Sequence, residues 1–600
     1  MQKIKLIWLL SCLSIVLSCK SEDTSATKKT DTKPNIIVIY TDDQGYGDIG
    51  YHGNPWIKTP HLDHFAKESL ELTNFHVGTT CAPSRAGLLT GRNANRNNAW
   101  HTIGGCSILT ADEVTIADVL AKNGYETSMV GKWHLGDNYP FRPQDRGFKQ
   151  AVYHGGGGVQ QTPDLWNNDY FDDTYFRNGV PEKFDGYCTD VWFNEAISLI
   201  EKSKDKPFYM HLAPNAAHGP YNVPAEYAQM YKDTPISDKQ KRFYGMITNI
   251  DDNFGKLVSY LKKEKLFDNT ILIFSTDNGS AGAWGKLNGK TVGYNAGLKG
   301  KKGSHYDGGH RVPFFMSWPN GNILKKQAVN ELTAHVDMLP TLIDLAGIEH
   351  KPNKPLDGTS VAKILSGEDK EIDRMLVIDT QRNQLPIKGK NSCVMSTKWR
   401  LIDGKELYNT INDPGQKNNI AKNHPEIVKK MQSFYDTWWT TVEPDVKYAH
   451  IPLGYNNNEP VLITVHDIHT ENPIPWNQDL IRIGKALPQG FYSVKVEKDG
   501  EYQFELSRYA PDSKLAINSE AKAIAATPYV SGLAKGLAFN PKKAKITIGE
   551  NTFETTVNPN NHSVILKGKL TKGKFNLQSE FITADGNNIP AYYTNITLIN

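Results

Sequence analysis

Asn35-Ile-Ile-Val-Ile-Tyr40-Thr41-Asp42-Asp43-Gln44-Gly45 opens on a continuous β-branched run and ends in two carboxylates and a glycine. Such a run, preceded by Pro34 and closed by polar residues, predicts a strand buried on both faces, as in the middle of a parallel sheet. A second run of the same texture, Thr270-Ile-Leu-Ile-Phe-Ser275, ends in Thr276-Asp277-Asn278-Gly279. Between them lie a helical pattern over Thr115–Asn123, with Ile116, Val119 and Leu120 on one face, a short strand over Thr127–Val130 and a helical stretch over Arg242–Lys263. Strands alternating with helices predict an α/β layered domain with a mostly parallel central sheet. In such sheets sites form at the carboxyl ends of the strands, where both acidic turns would sit.

Further along, the Pro- and Gly-rich stretch His350–Gly358 interrupts the alternation; a strand-like piece at Trp399–Ile402 and a helix at Pro425–Trp439 predict a smaller α+β subdomain over 350–447. From 448 to 600 the texture is short strands, among them Val461–Val465, Gly490–Val496, Gly500–Leu506, Lys545–Ile548 and Ser563–Leu566, separated by turn residues, which predicts an appended all-β, sandwich-like module.

With 600 residues, 39% hydrophobic and 22% charged, the chain is long enough for several globular domains, and a net charge of +3 with scattered lysines offers no basic stripe for a nucleic-acid partner. At the amino end Lys3 and Lys5 precede the apolar run Leu6–Leu17, too short to span a bilayer but suited to a signal peptide over 1–18. Val16-Leu-Ser-Cys19 is similar to a bacterial lipoprotein cleavage site, so Cys19 is expected to carry lipid and residues 19–33, polar and of low complexity, to form a tether from the membrane, with outer-membrane localisation; an unlipidated secretory signal is the plainer alternative. Lys20-Ser-Glu-Asp23 weakly resembles surface-export signals of Bacteroidetes lipoproteins. Apart from Cys12 and Cys19, the cysteines are Cys81, Cys106, Cys188 and Cys393, without a CxxC pair, which fits neither a disulfide framework nor a zinc site.

Cys81-Ala-Pro83-Ser-Arg85-Ala-Gly-Leu-Leu-Thr90-Gly-Arg92 is the strongest chemical signal. Pro83 favours a first helical turn, whose free amides attract an anion, and Arg85 adds a planar fork of donors one turn in, so an oxyanion is expected beside Cys81. The motif resembles the type I sulfatase signature Cys-x-Pro-Ser-Arg, a family of the alkaline-phosphatase superfamily in which a maturation enzyme oxidises the cysteine to formylglycine. The resemblance implies an alkaline-phosphatase-like fold, a Cys81-derived hydrated aldehyde that attacks sulfur with one hydroxyl and expels sulfate with the other, and a divalent metal, calcium ahead of magnesium, held by Asp42, Asp43, Cys81, Asp277 and Asn278. Taken singly, each acidic turn is more often an Asx-turn or helix cap, and it is their pairing across one sheet that favours a metal.

Gly124-Tyr-Glu-Thr-Ser-Met-Val-Gly-Lys132-Trp-His134-Leu-Gly136 is similar to the second sulfatase signature and implies sulfate binding by Lys132 and proton transfer at the nucleophile by His134. Ala213-Pro-Asn-Ala-Ala-His218-Gly-Pro220 looks like the family's histidine loop, with His218 as donor to the leaving oxygen. Lys299-Gly-Lys-Lys302-Gly-Ser-His-Tyr-Asp-Gly-Gly309-His-Arg311-Val-Pro313 carries a second sulfate-binding lysine onto Lys302, on the Gly-Gly-x-Arg-Val-Pro register; Lys299 and Lys301 flank it, and His310 stands where the family often has an apolar residue. The resemblance runs from Asn35 to about Pro444, through Glu406-Leu-Tyr-Asn-Thr-Ile-Asn-Asp413-Pro-Gly415, and carries no role beyond Tyr448. A lipid-anchored sulfatase with an extra β module resembles the polysaccharide sulfatases of marine Bacteroidetes, which implies a sulfated algal polysaccharide, ulvan among them, as substrate. Rival readings are a phosphate or phosphonate ester hydrolase of the same superfamily and a non-catalytic glycan-binding lipoprotein. His154-Gly-Gly-Gly-Gly158 through Trp166, Tyr170, Asp172 and Asp173, and Asp137–Arg142, mix aromatic faces with carboxylates as sugar-binding surfaces do; a glycine-rich connector with ordinary aromatics explains them equally.

Overall fold

The computed structural model describes residues 33–484 and 488–600. The leader, the lipidation site read at Cys19 and most of the tether lie outside the described residues, and no helix among those described is long and apolar enough to cross a bilayer.

Strand Asn35–Thr41 is buried at every position. Period-2 alternation divides it between two cores: Ile37 and Ile39 join the cluster under helices Cys188–Ser203 and Asp238–Lys263, whereas Ile36, Val38 and Tyr40 join the one under Cys81–Thr90 and Ile116–Lys122. That explains why no polar residue interrupts the run. The strand pairs in parallel with Thr270–Thr276 on one side and Phe208–Ala213 on the other, and the parallel block continues through Glu126–Lys132 to Gln150–His154. Antiparallel strands extend both edges: Phe314–Ser317 beside Thr270–Thr276, and Thr174–Arg177 with Val180–Lys183 beyond Gln150–His154. The ten-stranded sheet is therefore parallel in its centre and mixed at its flanks. Helix Ile116–Lys122 begins at a Thr115/Asp118 capping box and Asp238–Lys263 at a Ser237/Gln240 box, which fix where these helices start.

Strands Leu376–Asp379, Ser392–Met395, Trp399–Ile402 and Glu406–Asn409 form an antiparallel sheet under helix Pro425–Val442, the smaller α+β unit. Arg400 locks it to the α/β part: its guanidinium donates to Asp307, Asn74 and His76, all buried. Beyond Ile451 two further sheets enclose one core that includes Val494, Phe504, Ile546, Phe581 and Ile596. Ile108 and Phe141 of the α/β part enter that same core, so the β-rich region is packed into the catalytic half instead of hanging from it.

Candidate active site

Register sets the floor of the site. Asn35 pairs with Thr270 and Thr41 with Thr276, so Asp42 and Asp43 leave the sheet beside Asp277 and Asn278. Asp43 N–H donates to Asp277 Oδ1 (3.3 Å) and Asn278 Nδ2 to Asp43 Oδ1 (2.8 Å). Asp43 adopts a left-handed φ of 62°, a conformation costing about 1–3 kcal/mol that persists because its neighbours over-determine it. Cys81 is the first residue of helix Cys81–Thr90, with Thr80 as N-cap, and its Sγ lies 3.4 Å from Asp42 Oδ1. Ligand atoms of Asp42, Asp43, Cys81 and Asp277 all fall within 4.8 Å of one another, and buried Asn278 Oδ1 has no hydrogen-bond partner. An unpaired amide oxygen beside three carboxylates is the donor set a hard, oxygen-seeking divalent cation requires.

Each carboxylate also meets a cation. Lys132 Nζ lies 2.6 Å from Asp42 Oδ2 and Lys302 Nζ 2.5 Å from Asp43 Oδ1, and the Arg85 fork places Nε and Nη2 at 3.0 and 2.7 Å from Asp277 Oδ2. Lys302 Nζ also comes within 3.6 Å of Cys81 Sγ, whereas Lys299 stacks over Tyr306 and Lys301 is exposed, so only Lys302 of the three reaches the cysteine. Arg85 departs from the expectation of a guanidinium open to an oxyanion: it is fully buried, bonded to Asp277 and donating to the Lys132 carbonyl, and so braces the carboxylate. Helix burial forces this, since every residue of Cys81–Thr90 is inside the protein.

Burial alone would raise the Asp43 carboxyl, but Lys302, then His218 and Lys132, hold it well below the usual range. Asp277 goes the other way, to about 6, because burial and the Asp42 charge outweigh Arg85. Burial, with Asp277 and Asp42, pushes the Cys81 thiol up to about 12. Left as a thiol, it is a poor nucleophile near neutral pH.

Two histidines overhang this floor. His134 Nε2 donates to the Thr102 carbonyl (2.9 Å), which leaves buried Nδ1 as the bare nitrogen, without a hydrogen-bond partner. His218 Nδ1 donates to the Gly219 carbonyl (2.6 Å), and Nε2 stands 4.0 Å from Asp43 Oδ2; burial and then Lys302 depress His218 to about 3.

The glycine stretch has a role that its composition concealed. A Cβ at Gly157 would lie 2.2 Å from His134 Cε1, and one at Gly158 3.1 Å from His218 Nδ1, so glycine is what lets this loop close on both imidazoles. Tyr170, fully buried, donates to the His218 carbonyl (2.7 Å). The expected sugar-binding surface here is corrected: Asp173 is buried and accepts from Tyr170 N, Asp172 from Gly186 N, and Trp166 packs on Tyr509 and Arg482 of the β-rich region. Asp137–Arg142 is equally committed, with Asp137 accepting from Gly156 N, Phe141 in the core and Arg142 paired to Asp145. Thr102, Gly157 and Gly158 thus belong to the site without any motif to mark them; the HGGGG run was the one signal available. Cys81, Cys106, Cys188 and Cys393 are free and buried.

Comparison with known proteins agrees with this geometry. The sulfatase family model matches residues 34–348, and that of the N-sulphoglucosamine sulphohydrolase C-terminal region matches 300–437. The chain is 31% identical to arylsulfatase A of Homo sapiens over 460 residues, covering 66% of this chain and 86% of that protein. It is 28% identical to the N-acetylgalactosamine-6-O-sulfatase of Bacteroides thetaiotaomicron over 516 residues, 72% and 98% of the two chains. Among solved structures, Ps i-CgsB in complex with k-i-k-neocarrahexaose shares 29% identity and a TM-score of 0.61, over 70% of this chain and 94% of that one. A match spanning the whole α/β part, with Cys81 seated among the carboxylates, establishes that the chain belongs to the sulfatase family of sulfuric ester hydrolases.

Proposed function

We propose that the protein releases sulfate from sulfated glycans, using formylglycine made from Cys81 and a calcium ion held by Asp42, Asp43, Asp277 and Asn278, with the residue-81 side chain as a further ligand. The observation that carries the reading is Cys81 itself, buried against Asp42 and Lys302 with its thiol at about 12, a position of little use to a thiol. The hydrated aldehyde would supply a hydroxyl nucleophile and a second hydroxyl for sulfate expulsion, and the cation would offset charge on the sulfuryl oxygens. Lys132 and Lys302 bind the remaining sulfate oxygens, exchanging their carboxylate partners for the ester. His134 Nδ1, held bare by the Thr102 bond, takes the proton of the remaining formylglycine hydroxyl as sulfate is expelled. His218 protonates the leaving oxygen; burial and then the Lys302 charge depress this imidazole, and an incoming anionic ester offsets the second of these.

A sulfated algal polysaccharide, ulvan among them, is our substrate reading, and it has support in the likeness to a protein solved with k-i-k-neocarrahexaose. We further propose export, lipid attachment at Cys19 to a bacterial outer membrane, and activation by a formylglycine-generating enzyme, on the leader and the Cys81 motif.

The test is the mass of the tryptic peptide spanning Cys81 from the native host, with sulfate release from an aryl sulfate and from algal oligosaccharides. Thiol-to-aldehyde conversion, and activity abolished in Cys81→Ala, is the expected result. An unmodified thiol in active protein refutes the formylglycine nucleophile, and faster turnover of phosphate than sulfate esters refutes the substrate class.

A further inference from the structure

Residues 380–391, in the small α+β unit, carry Arg382, Lys388 and Lys390 without one acidic residue, and their first part, 380–384, touches the segments that lead to Cys81 and Thr102. Both ends of the short arc 380–384 are pinned to the machinery. Thr380 Oγ1 accepts from Thr79 N (3.3 Å), two residues before Cys81, and the Thr380 carbonyl accepts from His305 Nε2 (3.1 Å). The Asn383 carbonyl accepts from Trp100 Nε1 (3.2 Å), two residues before the Thr102 carbonyl that orients His134. Arg382 lies between these anchors and is exposed. After burial, its charge is the next largest cause of the depression of His101 to about 3, and His101 adjoins Thr102 in the chain.

The other cations of the arc are engaged. Lys388 pairs with Asp436 and Lys390 donates to Asn383 Oδ1, while Asp379, the nearest acid in sequence, points inward to Tyr435 and Gln381. Arg382 has neither a hydrogen bond nor an ion pair among the described residues. An unpaired guanidinium on an arc anchored to the segments of Cys81 and Thr102 offers a planar fork to a second oxyanion.

We propose that Arg382 is a specificity-determining residue that binds a second anionic group, a sulfate or a carboxylate, on a sugar of the glycan outside the cleaved ester. The inference rests on the sulfatase reading above and extends it: the preferred substrate is polyanionic, and discrimination between singly and multiply charged glycans resides in this arc. A charge-assisted pair at a partly solvated rim is worth about tenfold in affinity.

The experiment compares matured wild type, Arg382→Ala and Arg382→Lys on sulfated disaccharides that carry one sulfate, two sulfates, or one sulfate and a uronate. In Arg382→Ala we expect KM for the doubly charged sugars to rise about tenfold with kcat little moved, so that the preference for double over single charge collapses; Arg382→Lys restores part of it. Which doubly charged sugar loses more tells sulfate from carboxylate. An unchanged preference overturns the proposal, as does an equal fall in kcat on all three sugars, which would put Arg382 in the chemistry. Binding of the same sugars to Cys81→Ala with and without Arg382→Ala, read by calorimetry, decides the matter even if wild type releases no sulfate: that failure would remove the sulfatase reading, and a loss of doubly charged sugar binding would still identify the subsite.

Discussion

The floor of the site and its rim are built on opposite principles. On the floor, Asp42, Asp43, Asp277, Lys132, Lys302 and Arg85 are charged groups that answer one another within hydrogen-bond range: the three carboxylates leave adjacent strands, Lys132 ends Glu126–Lys132, Arg85 lies early in helix Cys81–Thr90 and Lys302 is on the loop before Asp307. The rim is assembled from 101–106, 154–162, 380–384 and 466–469, and it is held by carbonyls, glycines and cross-sheet contacts: Gly104 and Gly105 donate to His466 O, Thr162 Oγ1 to Pro475 O and Gln478 N to Gln160 O. Both regions gather distant parts of the chain, but the floor's residues lie in short motifs of the sequence and those of the rim do not. The two regions should fail differently when perturbed.

Damage to the floor should be catastrophic and independent of the glycan. Lys302→Ala leaves Asp43 buried without its principal counter-charge and removes a sulfate ligand; we expect kcat on any sulfate ester to fall on the order of 10²–10³-fold, measured by sulfate release from aryl and sugar sulfates alike. His218→Ala should separate the substrates, with a loss on the order of 10²–10⁴-fold on a sugar sulfate, whose alkoxide is a poor leaving group, and much less on 4-nitrophenyl sulfate. An equal loss on both would show that His218 does not protonate the leaving oxygen.

The same division governs what the sequence discloses. Asn35–Thr41 and Thr270–Thr276 are legible because a strand buried on both faces admits no polar residue, and the carboxylates after them inherit their place from the register. Cys81, Lys132, His134, His218 and Lys302 lie in compact motifs; Cys81, Lys132, Lys302 and His218 stand within 4.0 Å of Asp42 or Asp43, and His134 meets the loop at Gly157. Strands such as Gly573–Ile582 were harder to see: exposed positions alternate with buried ones and the run is rich in Lys, Asn, Gln and Glu, so no apolar stretch stands out. Trp166 and Asp173 misled because an aromatic or a carboxylate in a loop looks alike whether it meets a sugar or its own backbone. Gly157 was marked only by the glycine run around it, since its function is the absence of a side chain.

Gly157→Ala tests that last point at the boundary of the two regions. A Cβ 2.2 Å from His134 Cε1 must displace the imidazole or the loop, and a misplacement of about 1 Å costs on the order of 10²-fold in turnover. We expect kcat to fall by that order while the melting temperature moves by only a few degrees. A variant with full kcat would mean that the loop stands clear of His134 during catalysis.

Titration offers the gentlest separation. On the floor, Lys302 depresses Asp43, so this group contributes stability above the ordinary carboxylate range and loses it as pH falls. At the seam with the β-rich region no cation among the described residues pairs with Asp137 or Asp467: burial raises the first to about 6, and burial followed by the Asp137 charge raises the second to about 7. A carboxyl raised on folding binds its proton more tightly in the folded state, so its stability contribution is complete below about pH 4, the unfolded value, and is lost as pH rises through 6 to 7. Asp467→Asn keeps the acceptor for Thr464 N and removes the charge. The variant should therefore melt at a temperature that changes less between pH 5 and 8 than wild type, with the gain of a few degrees appearing only at the upper end. Because Asp137 accepts from Gly156 N, next to the glycine that flanks His134, relief of the seam charge should also flatten the alkaline side of the activity profile. A melting curve with the same pH slope in both proteins would mean that the seam carboxyls are charged and solvated like any on the surface, and that floor and rim differ in geometry alone.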